Sequence, residues 1–482
     1  MIGTRRVLLA VAMVAMLCGA GAGAAPVRAQ SAEAQVDRYV QSEMRERRIP
    51  GLQIAVVQGG KIVMLKSYGM AELPHSLPVT KRSVFSINSA TKSFTAVAIM
   101  QLVEQGKVAL DAPVSRYISD LPAPWQGVTI TQLLNHTSGI PDIIDQQTSR
   151  LVTAGGPDAA WRHVQTLPMD FSPGARYSYN QTNYLLLGKI IDQLSGQPFV
   201  QFIKQRQFDA VGMPQTGYGD SRDVIRDKAP SYRFDADGKT LKQSIDEFPA
   251  FLRTGAGINT TVEDLAHWLI ALQKGKLVSP AGLAQMWRRG FLNDGKPASW
   301  AQGWPAIRDK EYRVVAGIGG MRSAFYVYPE NDLAVVILTN LAGSAPEDMI
   351  DVVASHYLPG LRAVSSSYTL YRLREQAQAG GFENLDEKLA LLQKQSGVVQ
   401  PSEGELNTWG YRLLSAGKNT QAIAVLGMAA RLYPASFNAY DSLAEAYEAA
   451  SEPTLAVQNY KRSLELNAQN THATERLRIL QP

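Results

Sequence analysis

Residues 52–70 read LQIAVVQGGKIVMLKSYGM, two runs rich in β-branched residues around the pair Gly59-Gly60. Adjacent glycines supply the positive φ angles of a tight turn, so this stretch predicts a β-hairpin. Residues 324–340 repeat the pattern, with AFYVY before the turn PEND and LAVVILTN after it. Mostly helical or irregular sequence separates the two hairpins. We therefore expect an α+β fold, in which both ends of the segment build one antiparallel sheet beside a helical region, with the active site in the cleft between them.

Residues 1–29 are predicted to be a signal peptide. Basic residues precede the apolar run from Val7 to Leu17, and small residues ending at Ala29 follow it, which is the order found in secretory signals. A membrane anchor is the alternative, although the run is shorter than the roughly 20 residues that span a bilayer. Cys18 leaves a lipoprotein as a further alternative. We expect an exported protein, periplasmic or secreted, without a transmembrane span after cleavage.

The amino-acid composition limits the classes of protein to which the chain can belong. The chain has 482 residues, of which 45% are hydrophobic and 19% charged, as in globular proteins with two or three folded units. Cys18 is the single cysteine, so the mature chain has no disulfide, thiol nucleophile or cysteine metal site. The formal net charge of +5 becomes 5 − 3 = +2 when residues 1–29, which hold three arginines and no acid, are removed. Such a balance gives no reason to expect nucleic-acid binding.

Residues 401–482 contain an internal repeat. Gly410 matches Ala444, and Ala422 matches Ala456 at the same offset. The offset is 34 residues in both cases. Small residues at a period of 34 resemble the tetratricopeptide repeat, a helix–turn–helix unit, and a generic pair of helical hairpins is the alternative. The predicted organisation is then a signal peptide over 1–29, a catalytic block over 30–360, a helical connector over 361–400 and repeats over 401–482. We expect the repeats to contact another protein or a second copy of the chain.

Residues 86–97, SINSATKSFTAV, carry the candidate chemistry. Ser89 and Lys92 are three positions apart, so on a helix that begins at Ser89 they share one face. A serine hydroxyl needs a base, and a lysine can be that base where burial lowers its pKa. The apolar run that follows supplies the burial. Taken alone, the S-x-x-K spacing is common by chance, so its context decides.

Six ordered segments across residues 35–345 supply that context. They are IPGLQIAVVQGGK, FSINSATKSFTAVAIMQLVEQGKVALDAPVSRYI, ITQLLNHTSGIPD, SPGARYSYNQTNYLLLGKII, TGAGINTTVEDLAHWL and GIGGMRSAFYVYPENDLAVVILTN. Together they resemble the serine β-lactamase and penicillin-binding-protein superfamily, in its class C, esterase and D-peptidase branch. The resemblance implies Ser89 as nucleophile with Lys92 beside it.

The second family motif is Tyr-x-Asn, and here Tyr179 takes the catalytic tyrosine position. The resemblance implies that Tyr179 acts as a base on Ser89 and later passes the proton to the leaving group. We expect the charge of Lys92 to lower the pKa of this tyrosine. Gln181 replaces the family's asparagine and keeps the amide one methylene further out, where it can hydrogen-bond Lys92 or a substrate carbonyl.

The third motif departs further from the family pattern of Lys or His, then Thr or Ser, then Gly. The best match is Gly317-Ile318-Gly319, which lacks both the cation and the hydroxyl that grip a substrate carboxylate. Gly319 and Gly320 would let the backbone approach the acyl group, with the Gly320 N–H as second oxyanion donor beside that of Ser89. Arg322 is a candidate for returning the lost positive charge from a shifted position, but a solvated surface arginine is the favoured interpretation, since arginines are mostly exposed.

The histidines give no sign of a further catalytic or metal site. His136 lies in a loop segment, NHTSG, that in the family is structural, so we do not assign it as a base. The six histidines form no metal-binding motif, and no cofactor is expected.

The predicted protein is an exported serine hydrolase that cleaves a small-molecule or peptide ester or amide through an acyl-enzyme on Ser89, with esterase or peptidase-like activity. One alternative is a class C-like β-lactamase or a D-alanyl-D-alanine carboxypeptidase, which would need another anchor for the substrate carboxylate. Another is a catalytically degenerate binding or scaffold protein.

Overall fold

The computed structural model describes residues 31–145, 147–148, 150–235 and 238–481, so the predicted signal peptide lies outside the described residues. None of the helices in these ranges combines the length and apolar character that crossing a bilayer requires.

The elements follow in chain order. The strands are β1 Gly51–Gln58, β2 Lys61–Glu72, β3 Leu77–Pro78, β4 Phe85–Ser86, β5 Ile144–Asp145, β6 Arg150–Leu151, β7 Gly217–Tyr218, β8 Ser231–Phe234, β9 Leu241–Ser244, β10 Ile258–Thr260, β11 Ala306–Arg308, β12 Val314–Gly319, β13 Ser323–Tyr328 and β14 Leu333–Thr339. The helices are α1 Ala32–Arg47, α2 Thr91–Glu104, α3 Ile130–Leu134, α4 Gly156–Val164, α5 Gln181–Ser195, α6 Phe199–Ile203, α7 Asp209–Val211, α8 Val262–Gln273, α9 Pro280–Met286, α10 Glu347–Ala354, α11 Ser366–Gly380, α12 Leu385–Ser396, α13 Glu403–Ser415, α14 Asn419–Leu432, α15 Phe437–Ala449, α16 Pro453–Leu466 and α17 Thr471–Leu480.

The main sheet has seven strands in the order β11-β12-β13-β14-β1-β2-β3. β1 and β2 form the predicted hairpin around Gly59 and Gly60, whose φ angles are +60° and +64°. β1 also pairs antiparallel with β14, with Leu52 opposite Thr339. The prediction of an α+β fold with one antiparallel sheet built from both ends of the segment is confirmed.

The two faces of the sheet pack against different partners, because side chains alternate along each strand. Val57, Val315 and Phe325 point to the face covered by the helical region, where α2 and α8 pack. Residues of the opposite parity, such as Val56 and Ala316, point to a second core that continues through α10 and α11 into α13 and α14. The C-terminal helices therefore share a hydrophobic core with the back of the sheet.

The helices of the C-terminal region follow the predicted period. α13 begins at Glu403 and α15 at Phe437, while α14 begins at Asn419 and α16 at Pro453, so both pairs of helices keep the offset of the sequence repeat. At the start of this array Gly410 lies so close to Leu426 that a Cβ would be 2.5 Å from its Cγ, which explains a small residue there. The assignment to the tetratricopeptide class and the exact domain boundaries stay predictions.

Candidate active site

Ser89 lies in a 3₁₀ turn, Asn88–Ala90, that leads directly into α2. The helix begins at Thr91, slightly later than the sequence predicted. Asn88 has a φ of +46°, a left-handed conformation that asparagine tolerates better than most residues. Strained backbone of this kind is frequent at functional sites, where it fixes the direction of a side chain. Ser89 is half-buried, at the surface of the cleft between the sheet and the helical region.

Tyr179 meets the serine from the far side of the cleft. Its hydroxyl donates a hydrogen bond to Ser89 Oγ at 2.7 Å. The next residue, Asn180, caps α5 by accepting from the Asn183 N–H at 3.0 Å, so the helix start fixes the tyrosine backbone. The ring of Tyr179 packs 4.5 Å from that of His136 and 5.9 Å from that of Trp300. The ring is thus packed against its neighbours, and the hydroxyl is the part of the side chain that contacts Ser89.

Lys92 is buried on α2, with 1% of its surface exposed. Its ammonium donates to the Gly255 carbonyl at 2.8 Å and to Gln181 Oε1 at 3.0 Å. Both acceptors are neutral. Burial therefore lowers the pKa of Lys92 to about 7, although the charge of Asp142 works in the opposite direction. A large fraction of this lysine is uncharged near neutral pH, which a proton acceptor requires.

The expected effect of Lys92 on Tyr179 is wrong. Burial raises the pKa of Tyr179 to about 12, and its hydrogen bonds to Ser89 and Gln181 reduce that rise only in part. The lysine Nζ lies 4.7 Å from the centre of the tyrosine ring, but its own lowered pKa deprives it of the full charge that would stabilise a tyrosinate. Lys92, and not Tyr179, is the group in this cluster that titrates near neutrality.

β12 closes the site on its other side. An ideal Cβ on Gly319 would lie 1.9 Å from the Ile87 carbonyl oxygen and 2.8 Å from the Ser89 nitrogen. Only glycine allows the strand to approach the serine turn this closely. Gly320 follows with a φ of +57°, and its Cβ would lie 2.9 Å from the Asn88 side chain. The predicted pair of oxyanion donors, the N–H groups of Ser89 and Gly320, thus belongs to two segments in direct contact.

Phe325 explains the missing cation of the third motif. It is the cross-strand partner of Gly317, and a Cβ on Gly317 would lie 2.1 Å from its ring. The ring is fully buried, 5.6 Å from that of Trp304 and 6.2 Å from that of Trp268. An aromatic core contact therefore fills the space that a side chain at residue 317 would use.

Arg322 is buried, with 4% of its surface exposed, so the favoured interpretation as a solvated surface arginine is wrong. Nη2 donates to Asp246 at 2.8 Å. Nε and Nη1 are buried without a hydrogen-bond partner among the described residues. The Nε atom would lie 3.0 Å from a Cβ on Gly320, so the guanidinium adjoins the turn beside the serine but does not occupy the position of the family's cation.

His136 plays no part in proton transfer to Ser89 in this geometry. Its Nδ1 accepts from the Asn180 N–H at 3.1 Å, and burial holds its pKa well below the usual range. Its φ of +58° and its ring contact with Tyr179 fit the structural role given to it above.

One cluster with metal-ligand chemistry lies elsewhere, on the C-terminal helices. Asp441, Glu445 and His472 place their ligand atoms within 4.8 Å of one another. It is the single such cluster found in the described ranges. Tyr411 and Asn470 already donate hydrogen bonds to its carboxylates, so the cluster is explained as packing between helices. A local sequence motif could not reveal it, because Glu445 lies on α15 and His472 on α17.

The structure places Ser89, Lys92, Tyr179, Gln181 and Gly319 next to one another, and sequence reasoning missed several residues that surround them. They are Gly255, Asp142, Trp300 and Phe325. The Gly255 carbonyl accepts a hydrogen bond from Lys92, and Asp142 accepts one from the Gln181 N–H at 3.0 Å. Gly255 and Asp142 lie inside the segments TGAGINTTVEDLAHWL and ITQLLNHTSGIPD, so motif context marked them without giving their roles.

A serine that accepts a hydrogen bond from a tyrosine, three residues before a buried lysine and beside a strand of an antiparallel sheet flanked by helices, is the arrangement of the serine β-lactamase and penicillin-binding-protein class with its S-x-x-K motif. Comparison with known proteins agrees. The Beta-lactamase family model matches residues 36–356, and the chain belongs to that family. Its relatives and structural neighbours are penicillin-binding-protein-like, esterase and amidase members of the serine β-lactamase superfamily.

Among curated proteins, Protein flp of Staphylococcus aureus is 26% identical over 315 residues, which cover 64% of this chain and 63% of the relative. Penicillin-binding protein 4* of Bacillus subtilis is 29% identical over 282 residues, covering 55% of this chain and 62% of the relative. The chain thus spans less than two thirds of the length of these relatives.

Among solved structures, the octameric penicillin-binding protein homologue from Pyrococcus abyssi is 26% identical with a TM-score of 0.58, covering 68% of this chain and 77% of that one. EstCE1, a hydrolase with promiscuous acyltransferase activity, is 20% identical with a TM-score of 0.58, covering 68% of this chain and 98% of that one. The second likeness concerns the fold alone.

Proposed function

We propose that the protein is an exported serine hydrolase that cleaves an ester or amide through an acyl-enzyme on Ser89. The observation that carries this proposal is the 2.7 Å hydrogen bond between Tyr179 and Ser89, next to a buried Lys92 whose pKa is about 7. Uncharged Lys92 is the proton acceptor, and the Tyr179 hydroxyl relays the proton: it turns to give its own proton to the lysine Nζ, 4.7 Å from the centre of its ring, as it takes that of Ser89.

The reaction then proceeds in two halves. Ser89 Oγ attacks the substrate carbonyl carbon, the C–O or C–N bond breaks, and the proton passes to the leaving alcohol or amine. Water attacks the acyl carbon of the resulting ester and gives up its proton to the same relay. The bond between that carbon and Ser89 Oγ then breaks, the relay returns the proton to Oγ, and the carboxylic acid leaves. The N–H groups of Ser89 and Gly320 stabilise the oxyanion of each tetrahedral intermediate.

The substrate class follows from the strand beside the serine. Because Gly317 and Phe325 leave no cation at the position where family members grip a carboxylate, simple esters and amides are better candidates than penicillins or peptides ending in D-alanyl-D-alanine. Gln181 supports this preference, since its amide is already engaged with Lys92. Export rests on the predicted signal peptide.

Intact-mass spectrometry after treatment with a fluorophosphonate probe tests the nucleophile. We expect one adduct on the wild type and on Ser115→Ala, a control at an exposed serine, and none on Ser89→Ala. A panel of p-nitrophenyl esters, a penicillin and a D-alanyl-D-alanine peptide then separates an esterase from the alternatives. Absence of any adduct, together with absence of turnover on the panel, would favour the binding-protein alternative.

A further inference from the structure

A groove of about 1170 Å³ lies between the catalytic block and the C-terminal helices. Its walls come from the end of α1, the segment that follows β14, and α13. Met321 lies at its edge, with 54% of its surface exposed. Because Met321 directly follows Gly320, the groove begins immediately beside the predicted oxyanion donor.

The groove is preformed, because buried hydrogen bonds hold its floor. The Ala345 N–H donates to the Met321 carbonyl at 3.0 Å, and the Ser344 hydroxyl donates to the same oxygen at 3.1 Å. Arg47 Nη1 donates to the carbonyls of Ser344 and Ala345 at 2.8 and 2.7 Å. A binding site that needs no rearrangement loses less ordering entropy when a ligand enters.

The free charges along the groove are positive. Arg45, Arg48 and Lys418 line it with exposed side chains, and in the described part of the chain none of them forms an ion pair with a carboxylate. Arg48 instead lies over the ring of Phe234, 3.8 Å from its centre. The surface thus offers three unneutralised cations to a ligand.

Two acids of the groove are paired with arginines, and the third has a raised pKa. Glu46 pairs with Arg374, and Asp348 lies 3.5 Å from Arg47 and 3.4 Å from Arg412. Burial raises the pKa of Glu347 to about 7. An anionic ligand therefore meets attraction from the cations without matching repulsion.

Buried oxygen atoms at the groove also need hydrogen-bond donors. Glu347 Oε2, Asn407 Oδ1 and Gln421 Oε1 have no partner among the described residues, and all three residues line the groove. The backbone N–H groups of an extended peptide would supply such donors at regular intervals.

We propose that this groove binds the acidic segment of an extended peptide substrate, whose chain passes Met321 to bring its ester or amide to Ser89. The inference rests on the proposed function, since it adds a remote binding site for the substrate of the same serine.

Binding is tested first on full-length Ser89→Ala, which removes turnover. The probes are fluorescein-labelled (Glu-Ala-Gly)₄ and (Lys-Ala-Gly)₄, followed by fluorescence anisotropy at low and high salt. We expect saturable binding of the acidic peptide, weakened by salt, with at least ten-fold lower affinity after Arg48→Glu with Lys418→Glu. The matched control, Lys81→Glu with Lys461→Glu, makes the same charge change at exposed lysines outside the groove and should stay within two-fold. The proposal would be overturned by equal affinity for the two peptides, or by equal affinity of the groove and control variants for the acidic peptide. It would also be overturned if the groove bound polygalacturonate but not the acidic peptide.

Hydrolysis is tested second, with p-nitrophenyl esters of the two peptides. The wild type should hydrolyse the acidic ester with at least ten-fold higher kcat/KM, a preference that the groove variant loses and the control keeps. If no ester is hydrolysed, the proposed function fails on Ser89, and the binding experiment alone decides the groove. If both peptide esters are hydrolysed equally, the nucleophile stands and the groove is rejected as a substrate site.

Discussion

Two buried cations on opposite sides of the sheet behave in opposite ways. Lys92, on the cleft side, is 1% exposed and donates only to a carbonyl and an amide, so burial lowers its pKa to about 7. Arg47, on the back, is 8% exposed and contacts Glu43 at 2.7 Å. Burial is the largest single influence on the pKa of Arg47 and would lower it as well, but Glu43, Tyr39 and Asp348 together outweigh the burial and raise the pKa.

The partner and not the burial decides the role of each cation. A buried cation with a carboxylate partner stays charged and holds structure together, as Arg47 does for the segment after β14. A buried cation with neutral acceptors gives up its proton readily and becomes available as a base.

Replacing Lys92 should have the largest effect. Lys92→Met keeps the volume of the side chain and removes the base, so we expect kcat/KM for an activated ester to fall by about 10³-fold or more. The same change at Lys107, an exposed lysine just after α2, is the control and should be neutral. An active Lys92→Met variant would place the proton acceptor elsewhere and remove the contrast with Arg47.

Replacing Arg47 should act on stability instead. Arg47→Met leaves Glu43, which is 2% exposed, with Arg374 at 2.9 Å as its remaining close cation, and loses two hydrogen bonds to the backbone. We expect the free energy of unfolding to fall by about 3 kcal/mol, because one partner of a buried pair is removed.

Urea denaturation measures this loss. Arg226→Met, at an 85% exposed side chain, is the matched control and should leave the midpoint unchanged. Adding Glu43→Leu to Arg47→Met should recover part of the stability, since the buried carboxylate that lost its partner is then gone and Arg374 keeps Glu46 as its partner. A double variant as unstable as the sum of the two single variants would argue against coupling between them.

The next largest effect is expected from a substitution at Gly319, where β12 closely approaches the serine turn. Gly319→Ala puts a methyl group against the Ile87 carbonyl and forces β12 away from the serine turn. We expect kcat/KM to fall about 100-fold, because the second oxyanion donor moves out of range. Gly127→Ala, where a Cβ meets open space, serves as the control. Full activity in Gly319→Ala would show that β12 does not contribute the donor.

The smallest effect is that of pH on the wild type. Since Lys92 must be uncharged to accept a proton, kcat/KM should rise about ten-fold per unit below pH about 7 and level off above it. A stopped-flow or steady-state profile with an ester of constant ionisation measures this. A flat profile across that range would mean that Lys92 is not the group whose titration limits the rate.

The parts of the structure that sequence could predict are those encoded locally. The two hairpins, the S-x-x-K spacing and the position of Tyr179 depend on residues close together in the chain or on an ordered motif, and the structure has all of them. The lowered pKa of Lys92 could also be expected, because an apolar run follows it.

The parts that escaped prediction depend on contacts between distant residues. The acceptor Gly255 is 163 residues from Lys92, and Asp246, which holds Arg322 in a buried position, is 76 residues away. The ring of Phe325 lies over Gly317 because the register of β12 and β13 places them opposite each other, and no spacing rule gives that side-chain packing. Nothing in the charge pattern marked Arg47 as a link between α1 and the segment after β14.

The pairing of β1 with β14 has a consequence for how the chain folds during synthesis. Leu52 and Thr339 lie near opposite ends of the catalytic block, yet β1 lies in the middle of the sheet, between β14 and β2. The early hairpin therefore leaves the ribosome with one apolar edge uncovered, and that edge waits until almost the whole catalytic block has been made. Non-local pairing of this kind slows folding and prolongs exposure to aggregation. A holdase that binds the nascent hairpin would shield it until the last strand arrives.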